Sequence, residues 1–122
     1  WKAFNEMFGG EIYVKKIPSM KVTDLALAID KFATQKVIGI RPGEKLHEEM
    51  IGKDDSLYTY EYDDYYKILP AINNWSSSKK LIQNGKQVEK GFSYTSCNNS
   101  EWMSISSLQE WVNNNKDKIG KF

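Results

Sequence analysis

An arginine and a glutamate that flank a Pro-Gly pair, Arg41 and Glu44, are the side chains best suited to chemistry in this sequence. Pro42 biases the backbone of the preceding residue towards an extended conformation, and Gly43 permits a turn that other residues resist. A guanidinium can hold a phosphate through two parallel hydrogen bonds, and an ionised carboxylate can accept from two neighbouring ribose hydroxyls. The turn therefore suits a diphosphate and its ribose. The alternative is a surface salt bridge that contributes about 0–1 kcal/mol, and the four residues alone favour that alternative.

The residues on each side of this turn predict the elements that hold it. Residues 36–40 form a short β-branched run, which is typical of a buried strand. Residues 44–51 are predicted to be a helix whose inward face carries Leu46, Met50 and Ile51. A helix that begins at the turn would direct free backbone N–H groups and its positive dipole end towards a bound anion.

The other elements predicted from the sequence are short and scattered. In chain order they are a helix at 1–8, a strand at 11–15, a helix at 22–33 capped by Thr23, strands at 57–62 and 65–69, and a helix capped by Ser104. Between them lie a connection at 16–20 and a loop-rich stretch at 73–101 anchored by Trp75, Phe92 and Tyr94. We expect an α/β lobe without a complete Rossmann sheet, because a self-sufficient doubly wound fold needs more parallel strands.

Composition and charge argue against several classes of function. The 122 residues carry 17 basic and 16 acidic side chains, a net charge of +1, which argues against a dedicated nucleic-acid-binding protein. A single cysteine, Cys97, cannot form an internal disulfide, so a cytoplasmic location is expected. The one histidine, His47, is far from it in sequence, so no zinc site is predicted. No apolar run approaches the roughly 20 residues of a membrane span.

Four segments of the chain occur in the same order in a known family. They are GGEIYVKKIPSMKVTDLA at 9–26, VIGIRPGEKLHEEMI at 37–51, YDDYYKILP at 62–70 and YTSCNNSEWMSISSLQEWV at 94–112. Together they resemble the C-terminal part of the inverting UDP-N-acetylglucosamine 4,6-dehydratases, which are extended short-chain dehydrogenases/reductases of pseudaminic acid and polysaccharide biosynthesis. The related UDP-sugar dehydratase/epimerases of capsule biosynthesis are the alternative, and we expect those to vary in the KIPSM and RPGE segments.

The resemblance implies a longer parent enzyme in which two domains have different functions. An N-terminal Rossmann domain would bind NADP and carry catalysis, and the C-terminal lobe, residues 1–122 here, would close over the UDP-sugar. This chain has neither the glycine-rich GxxGxxG loop nor the YxxxK pair of the superfamily. We therefore expect no catalytic residue, no bound cofactor and no metal in this part, and activity only together with the missing Rossmann domain. The family also suggests a homo-oligomer.

The same resemblance assigns binding roles to two segments. Arg41 would contact the diphosphate, and Glu44 would bind the ribose. The connection, taken as residues 16–21, would line the uracil and diphosphate side of the site. Its apolar residues Ile17, Pro18 and Met20 would sandwich the flat uracil. Ser19 or Lys21 would reach polar groups of the ligand. From the residues alone, a plain β-turn packed on the core accounts equally well for the Ile-Pro pair, and a solvated charge accounts for Lys21.

A different class of function stays open. The apolar residues Trp1, Phe4 and Phe8 begin a helix-face pattern with no cap before them, which suggests a chain cut from a longer protein. Gene fission could instead leave such a lobe as a small, non-catalytic interaction module. In either case we expect an exposed apolar patch larger than is usual for monomeric proteins.

Overall fold

A computed structural model describes residues 1–71 and 79–119 of the chain. The chain divides into two compact units. The first, called the sheet unit, comprises Trp1–Ile17 and Glu49–Asn98, and the second, called the helix unit, comprises Pro18–Glu48 and Asn99–Phe122.

Short helices and strands are mixed along the chain, and the named strands pair only in antiparallel fashion. In chain order the elements are α1 (Lys2–Glu6), β1 (Ile12–Lys15), α2 (Val22–Ile29), β2 (Glu49–Ile51), a 3-10 helix (Lys53–Tyr58), β3 (Thr59–Glu61), β4 (Tyr65–Ile68), α3 (Lys79–Ile82), β5 (Lys86–Gln87), β6 (Tyr94–Thr95), α4 (Ile105–Asn114) and α5 (Lys116–Ile119). The fold is therefore mixed α/β with small antiparallel sheets. Within the described ranges, no helix has both the length and the apolar character needed to cross a membrane.

The sheet unit is organised around β4. Its four-stranded sheet has the order β1-β4-β3-β5, and a separate two-stranded sheet pairs β2 with β6. All four β4 residues are buried, so the strand is covered on both faces. Because side chains alternate along a strand, Tyr66 and Ile68 share one face, where they pack with Val14, Ile51 and Tyr94.

The opposite face of β4 buries a lysine. Lys67 is only 3% exposed, and its Nζ donates a hydrogen bond of 3.0 Å to the carbonyl oxygen of Leu81. The same Nζ lies 4.9 Å from the ring centroid of Tyr13, and the rings of Tyr62 and Tyr65 stack with centroids 4.4 Å apart. The carbonyl oxygen of Leu81 and the aromatic faces thus stabilise the buried ammonium group.

The helix unit is held by the contact between α2 and α4. Leu108 and Val112 are one turn apart on α4 and are its buried residues. The Ser104 hydroxyl accepts a hydrogen bond of 3.1 Å from the backbone N–H of Ser107, so the predicted N-cap is confirmed. The predicted Thr23 cap is wrong, because α2 begins at Val22 and its N-cap position is Lys21, two residues before Thr23.

The predicted strand at 36–40 is wrong, since these residues adopt no regular secondary structure. Gly39 has a φ of +84°, a left-handed value that interrupts an extended run. Val37 and Ile38 are 94% and 75% exposed, so the β-branched side chains find nothing to pack against in this unit. Strand preference is realised only when a neighbouring strand and a covered face are present.

The predicted helix at 44–51 is also wrong, because residues Glu49–Ile51 form β2. Ile51 is fully buried and pairs with Tyr94 of β6, whereas Leu46 is 78% exposed and Met50 is 50% exposed. An isolated helix of this length is marginal in water, so the strand pairing outweighs the local helical pattern.

Most of the remaining element predictions are confirmed, with shifted boundaries. The strand at 11–15 is β1, and the strands on each side of Asp63 and Asp64 are the antiparallel pair β3 and β4. The first of this pair starts at Thr59, later than predicted, because Lys53–Tyr58 form a 3-10 helix. The helix at 22–33 ends at Ile29. The predicted anchor Trp75 lies outside the described residues, and the stretch around it contains α3, β5 and β6.

Candidate functional site

The backbone at Arg41 forms the turn that the sequence predicts. The N–H of Glu44 donates a hydrogen bond of 3.0 Å to the carbonyl oxygen of Arg41, which closes a four-residue turn. Pro42 occupies the second position, and Gly43 occupies the third with a φ of +89°, the pattern of a type II turn. A Cβ added at Gly43 would meet no atom within 4 Å, so the backbone conformation, not lack of space, requires glycine here.

Arg41 and Glu44 contact each other. The Nε of Arg41 lies 3.0 Å from one carboxylate oxygen of Glu44, and the N–H of Arg41 donates to the other carboxylate oxygen at 2.9 Å. The two side chains are 75% and 47% exposed. The salt bridge that the sequence left as an alternative is therefore present, and exposed pairs of this kind contribute about 0–1 kcal/mol. A guanidinium has five N–H donors, so the pair does not use up the hydrogen-bonding capacity of Arg41.

The connection before α2 presents a buried serine between exposed neighbours. Ile17 and Met20 are 46% and 44% exposed, and Pro18 and Lys21 are also exposed. Ser19 is 8% exposed. The residues predicted to sandwich a flat ring are thus the accessible ones, whereas the Ser19 hydroxyl faces the protein.

Backbone hydrogen bonds hold Ser19 within the helix unit. Its N–H donates to the carbonyl oxygen of Glu101 at 2.8 Å, and its carbonyl oxygen accepts from the N–H of Met103 at 2.9 Å. The side-chain amide of Asn99 donates to its hydroxyl at 3.1 Å. The Nε1 of Trp102 donates to the carbonyl oxygen of Asn99 at 2.9 Å, which braces the same stretch.

A tyrosine hydroxyl holds Ile17 within the sheet unit. The hydroxyl of Tyr94 accepts a hydrogen bond from the N–H of Ile17 and donates one to its carbonyl oxygen, both at 2.8 Å. Tyr94 is 8% exposed and packs on Tyr66 with ring centroids 5.2 Å apart. Sequence reasoning gave Tyr94 only an anchoring role and overlooked Asn99. The one signal for both was their place in the fourth segment of the family resemblance.

A cleft of about 700 Å³ in the sheet unit contains none of the seven predicted binding residues. Three lysines and four carboxylates line it. Four of these charges form pairs: the Nζ of Lys16 donates to Glu61 at 2.7 Å, and the Nζ of Lys2 lies 3.8 Å from a carboxylate oxygen of Asp64. A surface with nearly balanced charge is a poor match for a diphosphate, so the cleft does not compete with the Arg41 turn as an anion site.

The residues needed for other chemistry are dispersed. Cys97 is exposed and reduced, with its sulfur 3.2 Å from the hydroxyl of Thr95. Among residues 1–71 and 79–119, no three His, Cys, Asp or Glu side chains are grouped so that they could hold a metal ion. A dinucleotide site needs a glycine-rich turn that leads from a strand into a helix. Here Gly9 and Gly10 lead from α1 into β1, the reverse order, so the residues do not fit NADP.

Comparison with known proteins shows the family. A family model for polysaccharide biosynthesis proteins matches residues 1–70, and the chain belongs to this family. It is 50% identical over 115 residues to the inverting UDP-N-acetylglucosamine 4,6-dehydratase of Campylobacter jejuni serotype O:2, which covers 90% of this chain and 34% of that protein. The corresponding protein of C. jejuni serotype O:23/36 is 48% identical over the same share. These identities confirm the resemblance found in the sequence.

Two further proteins are similar to this chain at lower identity. A UDP-glucose 4-epimerase of Rickettsia canadensis is 31% identical over 100 residues, which cover 79% of this chain and 29% of the epimerase. The X-ray structure of Pen from Bacillus thuringiensis superposes with a TM-score of 0.72 at 26% identity, over 94% of this chain and 34% of that one. The chain spans about a third of the length of the dehydratases it matches.

Proposed function

We propose that residues 1–122 are the C-terminal, UDP-sugar-binding lobe of a UDP-N-acetylglucosamine 4,6-dehydratase that acts in surface polysaccharide or nonulosonic acid biosynthesis. The observation that carries the proposal is the 50% identity to a dehydratase of this type across 90% of the chain. The lobe would belong to an extended short-chain dehydrogenase/reductase. The Rossmann domain and its NADP, which supplies the hydride chemistry, would lie in the rest of a cytoplasmic, homo-oligomeric enzyme.

In this proposal the Arg41 turn binds the polar part of the nucleotide. The guanidinium is exposed and positively charged, and the carboxylate of Glu44 keeps it next to the turn. A diphosphate would take hydrogen bonds from the guanidinium, and Glu44 would then accept from the ribose hydroxyls. In the absence of a ligand, Arg41 would pair with Glu44. Because an exposed salt bridge contributes little free energy, a diphosphate could replace Glu44 as the partner of Arg41.

The connection would bind the base. Ile17, Pro18 and Met20 offer exposed apolar surface on which a flat uracil can lie, and the exposed ammonium of Lys21 can reach a phosphate. Because Ser19 is buried, its exposed neighbours are better placed than its hydroxyl to contact the nucleotide.

Replacement of Arg41 tests the proposed site. In the full-length protein, Arg41→Ala should weaken binding of UDP-N-acetylglucosamine about 10- to 100-fold, because a charge-assisted hydrogen bond contributes about 1.5–3 kcal/mol. Titration calorimetry gives the dissociation constant. Lys45→Ala is the matched control, since it removes an exposed positive charge from the same segment outside the proposed site. Unchanged affinity in Arg41→Ala, with normal binding by the wild type, contradicts the assignment.

A UDP-sugar epimerase, or a related capsule dehydratase/epimerase, is the second candidate. The 31% identity to a UDP-glucose 4-epimerase favours it, although the identity to the dehydratases is higher and extends further along the chain. Nuclear magnetic resonance of the product distinguishes dehydration from simple epimerisation. A 4-keto-6-deoxy sugar supports the dehydratase, and a sugar that differs from the substrate only in the configuration at carbon 4 supports the epimerase.

A further inference from the structure

We propose that Tyr94 is a positioning residue for the nucleotide: its hydroxyl fixes the backbone of Ile17 and thereby the apolar surface offered to the base. The inference rests on the proposed function, and it assigns a role to a residue outside the set proposed to contact the nucleotide. Tyr94 lies far along the chain from Ile17, so the contact exists only in the folded protein.

The Tyr94 hydroxyl bonds to both backbone groups of Ile17. One hydroxyl oxygen accepts from the N–H of Ile17 and donates to the carbonyl oxygen of the same residue, both at 2.8 Å. Both distances are typical of good hydrogen bonds. In an antiparallel sheet, a residue uses its N–H and its carbonyl oxygen to bond to one residue of the neighbouring strand. At Ile17, the Tyr94 hydroxyl replaces that neighbouring residue.

The position of Ile17 along the chain explains why such a contact is needed. Strand β1 ends at Lys15, and the N–H of Lys16 donates to the carbonyl oxygen of Asp64 at 3.0 Å. Pro18 has no N–H, so a strand ladder cannot continue through it. The Tyr94 hydroxyl extends the ordered backbone by one residue beyond the sheet.

The hydroxyl is itself held in place. The Tyr94 ring is buried in the cluster that contains Val14, Ile51 and Tyr66, and the Tyr66 ring lies 5.2 Å away. A tyrosine has only two side-chain torsions, so a packed ring fixes its oxygen closely. The core of the sheet unit therefore determines where Ile17 lies.

The residue that follows Pro18 is hydrogen-bonded within its own unit. Within the helix unit, the N–H and the carbonyl oxygen of Ser19 are bonded to Glu101 and Met103. Pro18 is thus flanked by two residues whose backbone groups are both hydrogen-bonded, while its own side chain and that of Ile17 are exposed. Within the sheet unit, the backbone of Ile17 is held by Tyr94 while its side chain stays exposed, and such preorganisation lowers the entropic cost of binding.

The test uses Tyr94→Phe in the full-length protein, which keeps the ring and removes the hydroxyl. Tyr66→Phe is the matched control: its ring belongs to the same cluster, but it is the hydroxyl of Tyr94 that bonds to Ile17. We expect Tyr94→Phe to weaken binding of UDP about tenfold, since two hydrogen bonds are lost. Binding of NADP should change less than about twofold in both variants, and so should binding of UDP to Tyr66→Phe.

The possible results distinguish failure of the inference about Tyr94 from failure of the proposed function. UDP affinity unchanged in Tyr94→Phe overturns the inference and leaves the proposed function standing if Arg41→Ala still loses affinity. A parallel loss of UDP and NADP affinity assigns Tyr94 to general stability and also overturns it. Absence of UDP binding by the wild type overturns both proposals.

Hydrogen exchange of the wild type covers the case in which Tyr94→Phe does not fold. The Ile17 amide should be protected without ligand, because its bond to Tyr94 precedes binding. Exchange at the rate of an open loop contradicts the inference.

Discussion

At the scale of single residues, the type II turn brings Arg41 and Glu44 close enough to form a salt bridge. The Pro-Gly pair could be recognised in the sequence because both residues restrict the backbone in known ways. The salt bridge could be foreseen as one of two alternatives, because the residues are three apart in a turn. The roles of Tyr94 and Asn99 could not, since both depend on contacts across about 80 residues of sequence.

Gly43→Ala tests the turn directly. An alanine at a φ of +89° is strained, so we expect a loss of about 1 kcal/mol or more in the free energy of unfolding, measured by urea denaturation. Gly52→Ala is the control, because Gly52 has a φ of −80° and an added Cβ would meet its nearest neighbours at an ordinary 3.5 Å. Equal effects at the two positions would show that the conformation of Gly43 is not required.

At the scale of elements, local signals and distant pairing make different contributions. The Ser104 cap, β1 and the pair β3 and β4 follow from capping residues and short-range alternation, and the structure confirms them. The segment 44–51 follows a helical pattern, yet Ile51 pairs with Tyr94. A partner that distant cannot be identified from local periodicity, and for the same reason the burial of Lys67 between aromatic rings was not predicted.

The link between α1 and β1 depends on a buried carboxylate. Glu11 is 5% exposed, and its two oxygens accept hydrogen bonds from the N–H groups of Phe8 and Gly9 at 2.9 and 2.7 Å. Burial alone would raise the pKa of Glu11, but these backbone hydrogen bonds outweigh it, and the pKa is lowered. The charged form is therefore favoured in the folded protein.

Glu11→Gln should cost about 1–3 kcal/mol of stability near neutral pH, because the amide group cannot accept the second hydrogen bond. A lowered folded-state pKa means that this stability is present above the unfolded-state pKa of about 4.3 and is lost as the pH falls through the folded value. Urea denaturation from pH 7 to pH 3 should thus show the wild type and the variant converging. Glu6→Gln, on exposed α1, is the control, and a gap independent of pH would refute the explanation.

At the scale of the whole molecule, the chain exposes apolar side chains that a self-contained domain would cover. Trp1, Val37 and Ile38 are 97%, 94% and 75% exposed. The chain also spans about a third of the dehydratases it matches. We propose that the remaining part of the full-length protein, with its Rossmann domain, packs on these residues.

A crystal structure of the full-length protein with UDP-N-acetylglucosamine is the most direct measurement of the central claim. We predict that the guanidinium of Arg41 lies about 2.7–2.9 Å from a diphosphate oxygen. The same structure should place uracil against Ile17, Pro18 and Met20, with the Tyr94 hydroxyl still bonded to Ile17. A nucleotide bound away from both the Arg41 turn and residues 17–21 would contradict the account.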